Sequence, residues 1–164
     1  MLVSTIPSVP SGPLDRDTAL LAHEIGRECL GMRLRLLNRS ITRLYDAALR
    51  PYGVTIAQLN LLASIANLQP VPSGKLADLL SLEISTLSRN ARVMESDGWL
   101  QIGLADRGNG RILSLTPAGE RKLAELGPAW REAQQQAMDA VGADAAGSIR
   151  GAADEHLLEQ VRGL

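Results

Sequence analysis

Between Ser73 and Gly119 the chain sets out helix, turn, helix, hairpin and helix in immediate succession, and this order constrains the fold more than any other feature. KLADLL and STLSRNARVMESDGWL carry helical periodicity, WLQIGL and RILSL are short apolar runs of strand character joined by ADRGNGR, and LTPAGE opens another helix. In the second helix, over residues 83–97, Leu87, Ala91 and Met94 recur at steps of four and three, so one side faces a core. Gly98 stands where a helix closes on a left-handed C′ residue. Gly108 and Gly110 permit the positive φ angles of a tight hairpin. This order is a winged helix-turn-helix, with its wing over 101–115.

The flanks are helical as well. Leu30, Leu34, Leu37, Ile41, Leu44 and Ala48 mark one face of a helix of about six turns that ends near Leu49, because Pro51 and Gly53 follow. Thr55 and Gln58 form a capping box for a helix carrying Ile56, Leu59, Leu62, Ile65 and Ala66. QPVPSG ends it, and Ser73 is the expected cap of the next helix, with Leu76, Ala77 and Leu80 inward. Thr116 and Pro117 begin the helix after the wing, in which Pro128 is expected to produce a kink or a split. A last helix spans about 144–161. The fold class is mainly α with a small β-hairpin wing. The expected organisation is a disordered tail over 1–16, a dimerisation helix region over 17–52, the winged helix-turn-helix over 53–119 and C-terminal dimerisation helices over 120–164. Apolar faces at both ends, which a compact winged helix does not need, are the reason to expect a dimer.

Composition narrows the function. Aromatic residues make up 2% of the chain and Phe is absent, so the core is built from Leu, Ile, Val, Ala and Met, which favours helix packing. No apolar run approaches the ~18 residues of a membrane span, and the prolines of MLVSTIPSVPSGP argue against a leader. A single cysteine makes no internal disulfide, and a reducing cytoplasm is the expected compartment. His23 and His156 stand far apart, with no metal-ligand spacing and no phosphate-cradling glycine loop, so neither an enzyme nor a cofactor is expected. The net charge of −1 opposes nucleic-acid binding, but the charge is uneven. Arg27, Arg33, Arg35, Arg39, Arg43 and Arg50 face only Glu28 and Asp46 in their stretch, whereas the acids gather after Leu123. A local cationic face sets attraction to phosphate.

The side of helix 83–97 opposite its apolar stripe carries Ser85, Thr86, Ser88, Arg89 and Arg92. Small hydroxyls let a helix backbone approach a major groove, and an arginine one turn on reaches guanine edges or a phosphate. Arg107 and Arg111 flank the hairpin tip, where Asn109 also stands, and suit phosphates or a minor groove. Ser73 and Lys75, opening the preceding helix, complete the candidate contacts to double-stranded DNA.

RLYDAALRPYGVT, AQLNLLASI, KLADLL, STLSRNARVMESDGWL, the Asp–Arg wing and LTPAGE together resemble the MarR (multiple antibiotic resistance regulator) family, over about residues 29–161. The resemblance implies a homodimer on a pseudo-palindromic operator, usually a repressor released by a small ligand or by oxidation. It implies that Ser85, Thr86, Ser88 and Arg89 read the groove, that Arg107 and Arg111 are wing arginines, and that Asp106 orients one of them. The wing has fewer arginines than is usual there, Asn90 replaces a common apolar residue, and Glu83 adds an acid at the helix start. Net charge and the thin wing also fit an alternative, a winged-helix module that binds proteins without DNA.

Two features are candidates for control. Cys29, at the start of the long helix with Arg27 and Arg33 near it, is open to oxidation, or is a small apolar filler. Met32, Tyr45, Tyr52, Trp130 and Met138 are the large side chains available to line an effector cleft, or plain core.

Overall fold

The computed structural model describes residues 12–105 and 110–162. Seven α-helices and three short strands follow in the order α1 (Arg16–Glu28), α2 (Leu30–Leu49), α3 (Ile56–Leu68), β1 (Val71–Pro72), α4 (Ser73–Leu79), α5 (Ile84–Ser96), β2 (Leu100–Leu104), β3 (Arg111–Leu115), α6 (Pro117–Val141) and α7 (Ala143–Arg162). They fall into two compact units, Met1–Arg39 and Ser40–Leu164.

The first unit holds a helix that the sequence reading absorbed into its tail and flank. Asp15 caps α1 by accepting from the backbone N–H groups of Asp17 and Thr18 at 3.1 and 3.0 Å. The Thr18 hydroxyl, and then its N–H, hold the Asp15 carboxyl below the ordinary carboxylate value. At the other end Arg33 Nε donates to the Arg27 carbonyl at 2.8 Å, which suits a cation at a helix C-terminus. Cys29 is therefore the C-cap between two helices, not the first turn of one long helix, and it is exposed. The alternative of a buried apolar filler does not hold for it. Leu20, Leu21, Ile25, Leu30 and Leu34 are likewise exposed.

In the second unit, α2 ends at the fully buried Leu49, followed by a 3-10 turn at Arg50–Tyr52 and by Gly53 at φ 69°. The capping box of Thr55 and Gln58 opens α3 as expected, and the Asp46 carboxylate accepts from the Ile56 N–H at 2.8 Å. Leu59, Leu61, Leu62 and Ile65 of α3 form the centre of a core completed by Leu49, Leu76, Leu87, Met94, Leu113 and Leu126.

Two expectations need correction here, and the hairpin gains a strand. The sheet has three antiparallel strands in the order β1-β3-β2, because Val71 pairs with Leu113 and Pro72 with Ile112. That pairing holds Pro72 extended (φ −62°, ψ 134°) right up to α4, so Pro72 is the N-cap and Ser73 already lies inside the helix without a side-chain capping bond. Finally, of the kink or split expected at Pro128, the split is absent, and α6 is one helix of 25 residues. Pro128 and Ala124 are on the exposed side, where the carbonyl deprived of its N–H partner reaches water, while Leu126 and Ala133 stay buried opposite.

Candidate nucleic-acid interface

Both helices of the helix-turn-helix end in the same motif. Leu82 N–H reaches Ala77 C=O at 2.8 Å and Ser81 N–H reaches Asp78 C=O at 3.0 Å, with Ser81 at φ 50°. After α5, Trp99 N–H reaches Met94 C=O at 2.8 Å and Gly98 N–H reaches Glu95 C=O at 2.9 Å, with Gly98 at φ 76°. These are Schellman closures, and the second is the one expected at Gly98. They set the lengths and ends of α4 and α5 by backbone bonds alone.

On α5 the burial follows the periodicity. Leu87, Ala91 and Met94 are buried, while Ser85, Thr86, Arg89 and Arg92 are exposed. Ser88 is half-buried, so it stands at the margin of the exposed arc and not on its crest. Asn90 is half-buried as well, and its amide donates to the Thr86 carbonyl at 3.1 Å, which lets a polar side chain occupy a place suited to an apolar one. Glu83 is the N-cap without a side-chain capping bond, so its carboxylate is not engaged by the helix end. The exposed arc contains two residues that the sequence reading missed. Ile84 and Val93 are 50% and 44% exposed, large apolar side chains where packing gives them no partner core. For Val93 the signal was available, since it falls off the 87–91–94 stripe, whereas Ile84 continues that stripe by a step of three and is exposed at the first position of α5.

The other candidates are placed unevenly. Lys75 is exposed and Ser73 half-buried at the start of α4. Arg111 is exposed at the first position of β3. The hairpin pairs Leu100–Leu104 with Arg111–Leu115, and the Ala105 N–H donates to Gly110 C=O at 2.9 Å. Arg107, Asn109, Asp106 and Gly108 lie outside the described residues. Among the described residues, none of Lys75, Arg89, Arg92 and Arg111 is engaged in an ion pair. Four exposed cations without carboxylate partners retain their full charge for an external anion.

The effector candidates are divided between the two units. Cys29 and Met32 are exposed in the first unit. Tyr52 packs against the core of the second, and Tyr45 donates its hydroxyl proton to Gln134 Oε1, with burial raising its pKa. Trp130 is 39% exposed and borders an apolar groove of about 260 Å³ with Leu59, Asn60, Ala63, Leu123 and Gly127. Among the described residues no cluster of three or more His, Cys, Asp or Glu can hold a metal, and no helix is long and apolar enough to cross a membrane.

The sequence model of the MarR family matches residues 54–101, from the approach to α3 through α4 and α5 into β2. That is the helix-turn-helix with its supporting helix. Over this segment the chain is similar to the MarR family. The likeness to solved structures extends beyond the matched segment. The Mycobacterium tuberculosis transcriptional regulator MosR is 29% identical with a TM-score of 0.68, over 82% of this chain and 98% of that one. A probable transcriptional regulator from Pseudomonas aeruginosa gives 24% and 0.69, over 78% and 96%. A cysteine-to-serine mutant of Escherichia coli MarR, complexed with operator DNA, gives 23% and 0.68, over 84% and 96%. In sequence, the uncharacterized HTH-type transcriptional regulator YwoH of Bacillus subtilis strain 168 is 24% identical over 88 residues, which are 54% of this chain and 64% of that one. The chain therefore shares its fold with these solved structures over 78–84% of its length, and the sequence match is concentrated on the helix-turn-helix.

Proposed function

We propose that the protein is a homodimeric, sequence-specific DNA-binding transcriptional regulator that represses from a pseudo-palindromic operator. The exposed arc of Ser85, Thr86, Arg89 and Arg92, set against a buried apolar stripe on the same helix, carries this reading. Helix 83–97 enters the major groove, where Arg89 meets a guanine edge and Ile84 has the chemistry to meet a thymine methyl. The wing over 101–115 lies along the backbone, with Arg107 and Arg111 on phosphates. Lys75 and the start of α4 add a further backbone contact. Residues 53–119 form the DNA-binding domain, and the helices of 17–52 and 120–164 form the dimer that sets two reading helices about one DNA turn, ~34 Å, apart. A cytoplasmic location goes with this role.

Salt titration tests the reading. Operator affinity is expected to fall steeply with salt, log Kobs against log salt having a slope of about −0.9 per neutralised phosphate. Arg107→Ala and Arg111→Ala are each expected to weaken operator and unrelated duplexes by a similar factor and to make the slope shallower by about one per lost contact. A loss confined to one sequence would contradict the backbone role, and a protein that retains no duplex at low salt would leave only a protein-binding module.

Release is proposed through a small molecule in the apolar groove at Trp130, or through oxidation of the exposed Cys29. Peroxide is expected to weaken operator binding by the wild type and to leave Cys29→Ser unaffected. Identical responses of the two proteins would exclude the thiol.

A further inference from the structure

The turn that joins α5 to the wing is fastened to α6 at several points. The Thr116 N–H donates to the Trp99 carbonyl at 3.0 Å, and the Thr116 hydroxyl donates to the Gly98 carbonyl at 2.6 Å. One turn further, Gly119 approaches so closely that a Cβ there would lie 2.1 Å from the Trp99 oxygen. The next contact along α6 is Lys122, whose ammonium stands 5.4 Å from the centre of the Trp99 ring and 5.9 Å from that of Tyr52. Its side chain is only 15% exposed, although a lysine normally keeps its charge in water. The carboxylate of Glu125 lies 3.3 Å away on the same helix, and a pair of that kind contributes little by itself. The two ring faces account for the position, because a cation on aromatic faces gains as water is removed.

Trp99 is the residue through which α5 passes into β2. Fixing its backbone and its ring on α6 therefore fixes the end of the reading helix and the base of the wing together. The Thr116 bonds hold the turn at one point, the carbonyls of Gly98 and Trp99. The Lys122 contact is a second point, and Tyr52, from the turn after α2, is a third.

We infer that Lys122 is a positioning residue for DNA recognition, holding α5 and the wing at a set angle on α6 through the Trp99 and Tyr52 rings and so setting the half-site spacing that the dimer accepts. This rests on the proposed operator binding. The test uses the full-length protein and the duplex that the wild type enriches from a random pool, with derivatives one base pair longer or shorter between the half-sites.

Wild type is expected to discriminate against both derivatives. Lys122→Met is expected to lose about tenfold of that discrimination while its affinity for random duplex and its salt slope stay unchanged, because no phosphate contact is removed. Lys122→Arg, which keeps a cation over the rings, is expected to restore the wild-type preference. Tyr52→Leu removes one ring and is expected to give a smaller change in the same direction, so the test survives if one variant fails to fold. An unchanged spacing preference in Lys122→Met would overturn the inference. So would a loss that arginine does not restore, or a shallower salt slope, which marks a direct phosphate contact. If the wild type enriches no sequence from the pool, the functional reading itself fails, an outcome distinct from these three.

Discussion

An Arg89→Ala protein is expected to hold DNA but to lose its choice of sequence. Arg89 is exposed on α5, one turn beyond Ser85 and Thr86, and engages no carboxylate among the described residues. Its truncation leaves no buried partner unpaired, so the fold and the proposed dimer are expected to melt as the wild type does. A bidentate arginine–guanine contact contributes about 1–3 kcal/mol of discrimination, and two copies in a dimer about twice that. The ratio of affinities for operator and for unrelated duplex is therefore expected to fall by roughly one to four powers of ten. Retention of that ratio in Arg89→Ala would remove the residue from the reading set and leave Arg92 as the next candidate.

The second large effect is on stability. Gly119→Ala places a methyl carbon 2.1 Å from the Trp99 oxygen and 2.9 Å from its carbonyl carbon. The obstacle is backbone, and it cannot move away without breaking the 3.0 Å bond from the Thr116 N–H. Overpacking of this kind costs about 3 kcal/mol, which corresponds to roughly 6–12 °C in Tm for a chain of this size. Gly147→Ala is the matched control. Gly147 lies inside α7, exposed, with nothing within 4 Å of the added carbon. There the same substitution is expected to stabilise by about 0.5–1 kcal/mol, since alanine loses less backbone freedom in a helix than glycine. Thermal unfolding of the two variants beside the wild type checks both signs, and a neutral Gly119→Ala would mean that α6 is not seated against the Trp99 turn.

What the sequence revealed was the chemistry that acts over a few residues. Thr55 with Gln58, Thr116 with Pro117, and Gly98 are caps whose partners lie within five residues, and each was found where its residue type placed it. The exposed side of α5 followed from the spacing of Leu87, Ala91 and Met94. The misreadings have a common cause, which is dependence on distant partners or on context. β1 is two residues long and includes a proline, so it exists only because Leu113 and Ile112 pair with it. The same pairing displaced the cap from Ser73 to Pro72. The unbroken α6 depended on which side Pro128 faces, and that is decided by the core beneath Leu126 and Ala133. For α1 a local signal existed, Asp15 followed by Thr18, but the stretch was assigned to the helix region over 17–52 without a start of its own.

The half-burial of Ser88 carries a consequence for selectivity. With Ser88 withdrawn, the crest of α5 offers Ser85, Thr86, Arg89 and Arg92, with Ile84 and Val93 beside them. So narrow a patch spells a word of only a few letters, and words that short recur by chance throughout any genome. In the proposed dimer, an unambiguous address then comes from the distance between two such words more than from either word. A protein built this way can acquire new targets by altering that distance alone, with every side chain that touches a base left as it is.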